Sequence, residues 1–242
     1  MRILAISLFP WYTLIMHVPL TRYGLPQVVI FPLLVCILMA LLFLFLRPHW
    51  ILIPAEVLLF LVLIWMLSFF RDPSRTIVQD ENVLYSPADG TITDISVVED
   101  SELGVPALRI GMFLSIFNVH INRAPCSVRI EQVNYKKGRF KNAMSPESSR
   151  VNESNGILMT RLSAPVDKLL VRQISGAIAR HIVCEAKPAA EYRQSEAFGM
   201  IKFGSRTELY MPEGENRGKY QVTVKIGDRV RAGLTPLVRY LP

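Results

Sequence analysis

Three residue types that together perform acyl chemistry occur in this chain at widely separated positions: Asp89, His120 and Ser205. Ser205 follows Gly204, within Lys202-Phe203-Gly204-Ser205-Arg206. Glycine has no side chain to shield its carbonyl and few limits on its backbone angles, so a following hydroxyl can bend back onto that carbonyl. Gly204-Ser205 is therefore a candidate for cleavage of the chain by its own serine, although a bare Gly-Ser is first of all a turn dipeptide. Serine is a weak nucleophile at its own pKa. Imidazole takes its proton near neutral pH, and a carboxylate can fix the imidazole tautomer. No Gly-x-Ser-x-Gly elbow surrounds Ser205, so the sequence does not indicate a standard hydrolase.

Each of the other two residues also has a plainer reading. Asp89-Gly90, after Ser86-Pro87-Ala88, reads as a hairpin turn. His120 lies in Leu114-Ser115-Ile116-Phe117-Asn118-Val119-His120-Ile121-Asn122-Arg123. If that run is a strand, Phe117, Val119 and Ile121 face one way and Asn118, His120 and Asn122 the other, lining a pocket with polar groups. A histidine satisfied in a partly exposed sheet is the alternative.

The elements that must position these residues divide at about residue 70. Of the 242 residues, 51% are hydrophobic, and residues 1–70 are almost entirely apolar. Residues 1–26 are broken by Pro10 and Pro19 and lack a small-x-small cleavage site, which suggests an interfacial segment rather than a removable signal peptide. Gln27 to Leu46 carries no charge and is long enough to span a bilayer. After Arg47-Pro48-His49-Trp50, Ile51 to Phe70 supplies a second run with Glu56 as its single charge. The expectation is a transmembrane helical hairpin over 27–70. Arg2, Arg22, Arg71 and Arg75 flank one side against Arg47 on the other, which by the positive-inside rule places the following domain in the cytoplasm, at the inner membrane of the cell.

From residue 71 the pattern changes to short alternating runs bounded by turn residues. Val83–Tyr85, Gly90–Ile95, Ala107–Ile116, Val128–Tyr135, Gly156–Leu162, Lys168–Gln173, Ile182–Cys184, Thr207–Met211 and Tyr220–Ile226 read as strands. Asn142–Val151 and Ser175–Arg180 read as short helix or loop. The expected fold is a mainly β catalytic domain over 71–242, barrel-sandwich-like because Gly227 to Gly233 reads as a turn, a strand and a turn. No lysine sits in that turn to carry a lipoyl or biotinyl group.

Cys36, Cys126 and Cys184 show no metal-ligand spacing and no disulfide framework, so they read as reduced packing residues and no metal is expected. The net charge of +7 suits anionic lipid, and no nucleic-acid motif accompanies it.

Five motifs in order, Phe69-Phe70-Arg71-Asp72-Pro73, Ser86-Pro87-Ala88-Asp89-Gly90, Phe117 to Arg123, Gly138-Arg139-Phe140-Lys141-Asn142-Ala143 and Phe203-Gly204-Ser205-Arg206, resemble the short form of phosphatidylserine decarboxylase. The likeness runs from about residue 22 to the C-terminus, departing around Arg180-His181 and Asn152–Asn155. The resemblance implies a self-processing triad of Asp89, His120 and Ser205 and scission between 204 and 205. It also implies a heterodimer of the two fragments and a covalent pyruvoyl cofactor derived from Ser205. That ketone would form a Schiff base with phosphatidylserine and act as electron sink while carbon dioxide leaves, giving phosphatidylethanolamine. Lys136 to Lys141 would serve anionic head groups or be a solvated basic turn. On this reading the chemistry lies wholly within the β domain and residues 1–70 act as a tether. An archaeal-type serine lipid as substrate and a non-enzymatic membrane adaptor stand as alternatives, and a homo-oligomer is an open option.

Overall fold

The computed structural model describes residues 20–145, 147–177, 181–202, 204–213 and 219–241. Residues 1–19 of the expected interfacial segment and residues 178–180 of the Ser175–Arg180 segment lie outside them.

Two long helices come first. α1 runs Leu25–Phe45 and α2 His49–Phe69, joined by three residues. The 21 residues of α1 rise about 31 Å, the thickness of a bilayer's hydrocarbon core. Its apolar side chains point in every direction, and none is buried against protein. A helix that is apolar all round and unburied has lipid as its natural surroundings, and both helices are long and apolar enough to cross a membrane. Trp50, 79% exposed, sits at the hairpin tip.

The strands follow in chain order: β1 Val83–Tyr85, β2 Gly90–Asp100, β3 Val105–Leu114, β4 Ile121–Arg123 and β5 Val128–Lys136. After a short helix α3, Ser148–Val151, come β6 Ser154–Arg161, β7 Lys168–Ile174, β8 His181–Cys184, β9 Glu191–Tyr192 and β10 Ala197–Lys202. The last are β11 Ser205–Pro212, β12 Tyr220–Val222, β13 Arg229–Val230 and β14 Pro236–Tyr240. They build an eight-stranded sheet in the order β13-β2-β3-β11-β7-β6-β5-β9 and two three-stranded sheets, β4-β10-β8 and β1-β14-β12. The domain is mainly β, as the alternation implied, and β13 stands between turns on either side.

β11 is an inner strand of the large sheet, paired with β3 from Ser205↔Leu114 to Pro212↔Ala107 and with β7 from Arg206↔Ile174 to Tyr210↔Leu170. Alternation puts Ser205, Thr207, Leu209 and Met211 on one face and Arg206, Glu208 and Tyr210 on the other. Leu209 and Met211 join the main core with Ile110, Met112, Val171 and Phe198. The opposite face is buried too, and its charges are matched: Arg206 binds Glu208 at 2.7 Å and also Asp94, while Tyr210 donates to Glu208 at 2.6 Å. Burial lifts the Tyr210 hydroxyl far above its ordinary pKa, reinforced by the Glu208 charge beside it.

Two strand expectations end early by two residues or more. β3 stops at Leu114 rather than Ile116, because the Asn118 side chain captures the Ser115 amide at 2.8 Å. β12 stops at Val222 rather than Ile226, where Asp228 accepts from the Lys225 amide at 2.9 Å and Gly227 takes a φ of 93°. Both are local side-chain turns that take a backbone N–H from the ladder.

Residue 70 is not a packing boundary. Tyr23, Met66, Phe69 and Phe70 form one buried cluster with Val119, Ile121 and Met200 of the β domain. The Thr21 amide donates to the Phe70 carbonyl at 2.8 Å, and Arg22 reaches Glu185 at 2.5 Å. The end of the hairpin belongs to the same core as β4 and β10.

Candidate functional site

Ser205 is the first residue of β11, so its position is set by ladder bonds on that strand. Its hydroxyl is fully buried and has no hydrogen-bond partner among the described residues. A buried hydroxyl without a partner is costly, and such groups concentrate where chemistry occurs. Gly204 before it takes a φ of 69°, a left-handed conformation that side-chain-bearing residues adopt with strain. That turn swings the chain from β10 into β11.

His120 is buried completely. Its Nδ1 lies 2.9 Å from the Asn118 carbonyl, which can only accept, so Nδ1 carries the proton and Nε2 presents its lone pair. The Gly204 amide donates to that Nε2 at 3.4 Å. Burial pushes the imidazole down to about 4. The Asn118 carbonyl opposes this, Arg71 adds to it, and Asp89 acts weakly the other way. His120 is thus a neutral imidazole whose unprotonated Nε2 is directed at the Gly204-Ser205 junction. The ring of Phe69, the last residue of α2, covers it at 4.4 Å.

The expected strand through His120 is instead a turn, Ser115 to Asn118, leading into β4. The alternation of faces fails accordingly: Val119, His120, Ile121 and Asn122 are all buried. Asn122 still meets the site's strand, donating to Thr207 at 3.0 Å and accepting from Gln173 at 2.8 Å.

Asp89 does not hydrogen-bond to His120. It is bound by both arms of the Arg75 guanidinium, at 2.7 and 2.9 Å, and accepts from the Ala232 amide at 2.8 Å. The orienting role expected of a carboxylate on Nδ1 is filled by the Asn118 carbonyl. Asp89 opens onto a cavity of about 450 Å³ whose lining includes Arg71, Pro73, Arg75 and Val119, the neighbour of His120. A larger cavity of about 840 Å³ holds none of Asp89, His120 and Ser205. Its Asp100 and Glu102 are both taken up by Arg172, at 2.9 and 2.6 Å.

Sequence reasoning missed three contributors. Arg75 lies in a segment without periodicity. Asn118 acts through its carbonyl, which no residue type advertises. Gly176 approaches Gly204 so closely that a Cβ built on it would overlap the Gly204 carbonyl oxygen and lie 3.2 Å from the carbonyl carbon.

The fold and site define a mainly β domain docked on two membrane-length helices, with its candidate chemistry where the two meet. The family model described as phosphatidylserine decarboxylase matches residues 62–237. A phosphatidylserine decarboxylase proenzyme from Carboxydothermus hydrogenoformans is 43% identical over 183 residues, covering 75% of this chain and 83% of the relative. One from Rhodopirellula baltica is 36% identical over 222 residues, 92% of this chain and 88% of the relative. One from Pelagibacter ubique is 40% identical over 180 residues, 73% and 80% of the two. The chain belongs to the phosphatidylserine decarboxylase family, and it is an enzyme, a decarboxylase.

Proposed function

We propose that this chain cleaves itself between Gly204 and Ser205, and that the mature enzyme decarboxylates phosphatidylserine at a bilayer surface through a pyruvoyl group derived from Ser205. The observation that carries the reading is the buried Ser205 hydroxyl, unpartnered among the described residues, beside a left-handed Gly204 whose amide donates to the unprotonated nitrogen of His120. Those residues fit the formation of such a group: the hydroxyl forfeits no protein hydrogen bond in attacking, and a neutral base stands at the same peptide.

In the first stage His120 Nε2 takes the Ser205 hydroxyl proton and the oxygen adds to the Gly204 carbonyl carbon. The amide nitrogen then leaves with a proton, converting the peptide bond to an ester. Loss of the Ser205 α-proton and cleavage of its Cβ–O bond release a carboxylate at Gly204. The remaining enamine hydrolyses with loss of ammonia. A pyruvoyl group at position 205 supplies a ketone that takes up the electron pair left behind as carbon dioxide departs. Asp89, held by Arg75, acts on His120 through space and shapes the cavity beside Val119.

The membrane part of the reading follows from the substrate. Each lipid methylene drawn out of the bilayer costs about 0.8 kcal/mol, so the site must come to the head group. Phe69 on His120 and Lys202 Nζ donating to Gln27 at 3.2 Å support this, because they tie the site to the ends of both apolar helices. The β domain then faces the cytoplasmic leaflet of the inner membrane, with Lys136 to Lys141 available to anionic head groups.

The test is the intact mass of active enzyme under denaturing conditions. Two fragments, residues 1–204 and 205–242, are expected, the smaller lacking its amino terminus. Ser205→Ala and His120→Ala should each give one full-length, folded, inactive chain. A single full-length mass in active enzyme would defeat the reading.

A further inference from the structure

We propose that the Ser115–Asn118 turn is a membrane contact whose tip, Phe117, inserts into the head-group layer of a phospholipid bilayer and seats His120 and Ser205 at a fixed depth beneath it. The proposal rests on the reading that α1 and α2 lie in a bilayer, and not on the pyruvoyl chemistry.

Phe117 is 69% exposed. Single exposed apolar residues are common, so exposure alone carries nothing. What distinguishes Phe117 is its mounting and its place. The Asn118 amide donates to the Ser115 carbonyl at 2.9 Å, and the Asn118 side-chain oxygen accepts from both the Ser115 amide and the Ser115 hydroxyl at 2.8 Å. Three bonds within four residues make a stiff support, so the ring is presented rather than left to fold away.

The place is set by Arg71. One arm of its guanidinium donates to the Phe117 carbonyl at 2.7 Å, and the other to the Ser68 carbonyl and hydroxyl, at 2.7 and 3.0 Å. Ser68 is in the last turn of α2, so the turn is clamped to the point where the apolar helix ends. An apolar surface continuous with a membrane-spanning helix, and an arginine at the same level, suit a phospholipid interface.

The base of the same turn touches the site twice. The Asn118 carbonyl holds His120 Nδ1 at 2.9 Å, and the Ile116 Cγ2 lies 3.8 Å from a Cβ built on Gly204. One short turn therefore joins the leaflet, the imidazole and the serine junction, so the depth of Phe117 sets the depth of the chemistry.

The test uses the full chain in phosphatidylcholine bilayers carrying phosphatidylserine. Phe117→Trp is compared with Val166→Trp, a residue 68% exposed between β6 and β7, at the far end of β7 from Gly176. In bilayers of brominated phosphatidylcholine, the emission added at position 117 should be quenched and that added at 166 should not. Equal, unquenched emission at the two positions would overturn the proposal. In parallel, Phe117→Ser should lower the ratio of bilayer to monomeric short-chain phosphatidylserine turnover about tenfold, the order expected for one buried aromatic ring. Parallel loss on both substrates would overturn the membrane role and make the turn a structural support alone. Failure of the chain to cleave would defeat the proposed function while leaving the quenching result intact.

Discussion

The ring of Phe69 and the imidazole of His120 lie 4.4 Å apart, centroid to centroid, with their planes inclined by 37°. The end of an apolar helix thus forms the dry wall that keeps the candidate base neutral. Phe69→Ala should let water reach the imidazole, at a stability cost of about 3–5 kcal/mol for the cavity. The acid limb of the self-cleavage profile, expected near the imidazole value of about 4 in the native chain, should move up in the variant. For the same reason, deleting residues 1–70 should impair self-cleavage itself, whereas a truncation that keeps Met66 to Phe70 should cleave faster. Rates measured by denaturing gel against pH check both.

His120 also sets a pH dependence of stability. Its pKa is about 4 in the folded chain against 6.5 when unfolded, so between these values the unfolded state binds more protons. Stability should therefore fall as pH drops from about 6.5 to about 4, by on the order of 3 kcal/mol, and level off below. Denaturant titrations of uncleaved Ser205→Ala chain, with and without His120→Gln, isolate this component. An equal pH response in both chains would refute it.

Arg75 and Asp89 are nearly buried, their side chains 6% and 11% exposed. Removing one partner strands the other's charge, and Arg75→Ala should destabilise the domain by about 3–5 kcal/mol. Arg75→Lys should recover part of that, since an ammonium replaces the forked geometry with a single point charge. Melting curves of the three chains would show the order.

Gly176→Ala should stop or greatly slow self-cleavage, because the added methyl group would occupy the place of the Gly204 carbonyl oxygen. Around it, Asn152 donates to the Lys141 and Ser175 carbonyls at 2.8 Å each and accepts from the Lys141 amide at 2.9 Å. This lattice holds residue 176 in place, so the carbonyl must yield. Precursor that remains full-length, and that hydroxylamine does not split at position 204, would show that the ester has not formed.

The parts legible in the sequence were those written in residue type and period. The two helices are long apolar runs broken by a proline each and, in the second, by Glu56, and most strands of the large sheet alternate. Asp89, His120, Gly204 and Ser205 stand out chemically. What was hidden depends on backbone groups and close approach. The period-two reading through His120 failed because the Asn118 side chain closes a turn, and the group that fixes the imidazole is a main-chain carbonyl. Arg75 was noted for its charge beside the helices, yet its partner lies across the fold. Gly176 looks like any loop glycine until Gly204 is placed against it.

β11 begins at Ser205 and is hydrogen-bonded on both sides, to β3 and to β7. A scission just before it would leave the short fragment supplying an inner strand, β11, and an edge strand, β13, of a sheet otherwise built from the long one. The two pieces could part only by tearing that sheet open, and reassembly after denaturation would need two molecules to meet. Recovery of the cut protein should then fall with dilution, while uncut Ser205→Ala chain refolds at a yield independent of concentration. Such an enzyme would carry its own history: the native state is reached once, in one piece, and the cut that follows removes the unimolecular route back.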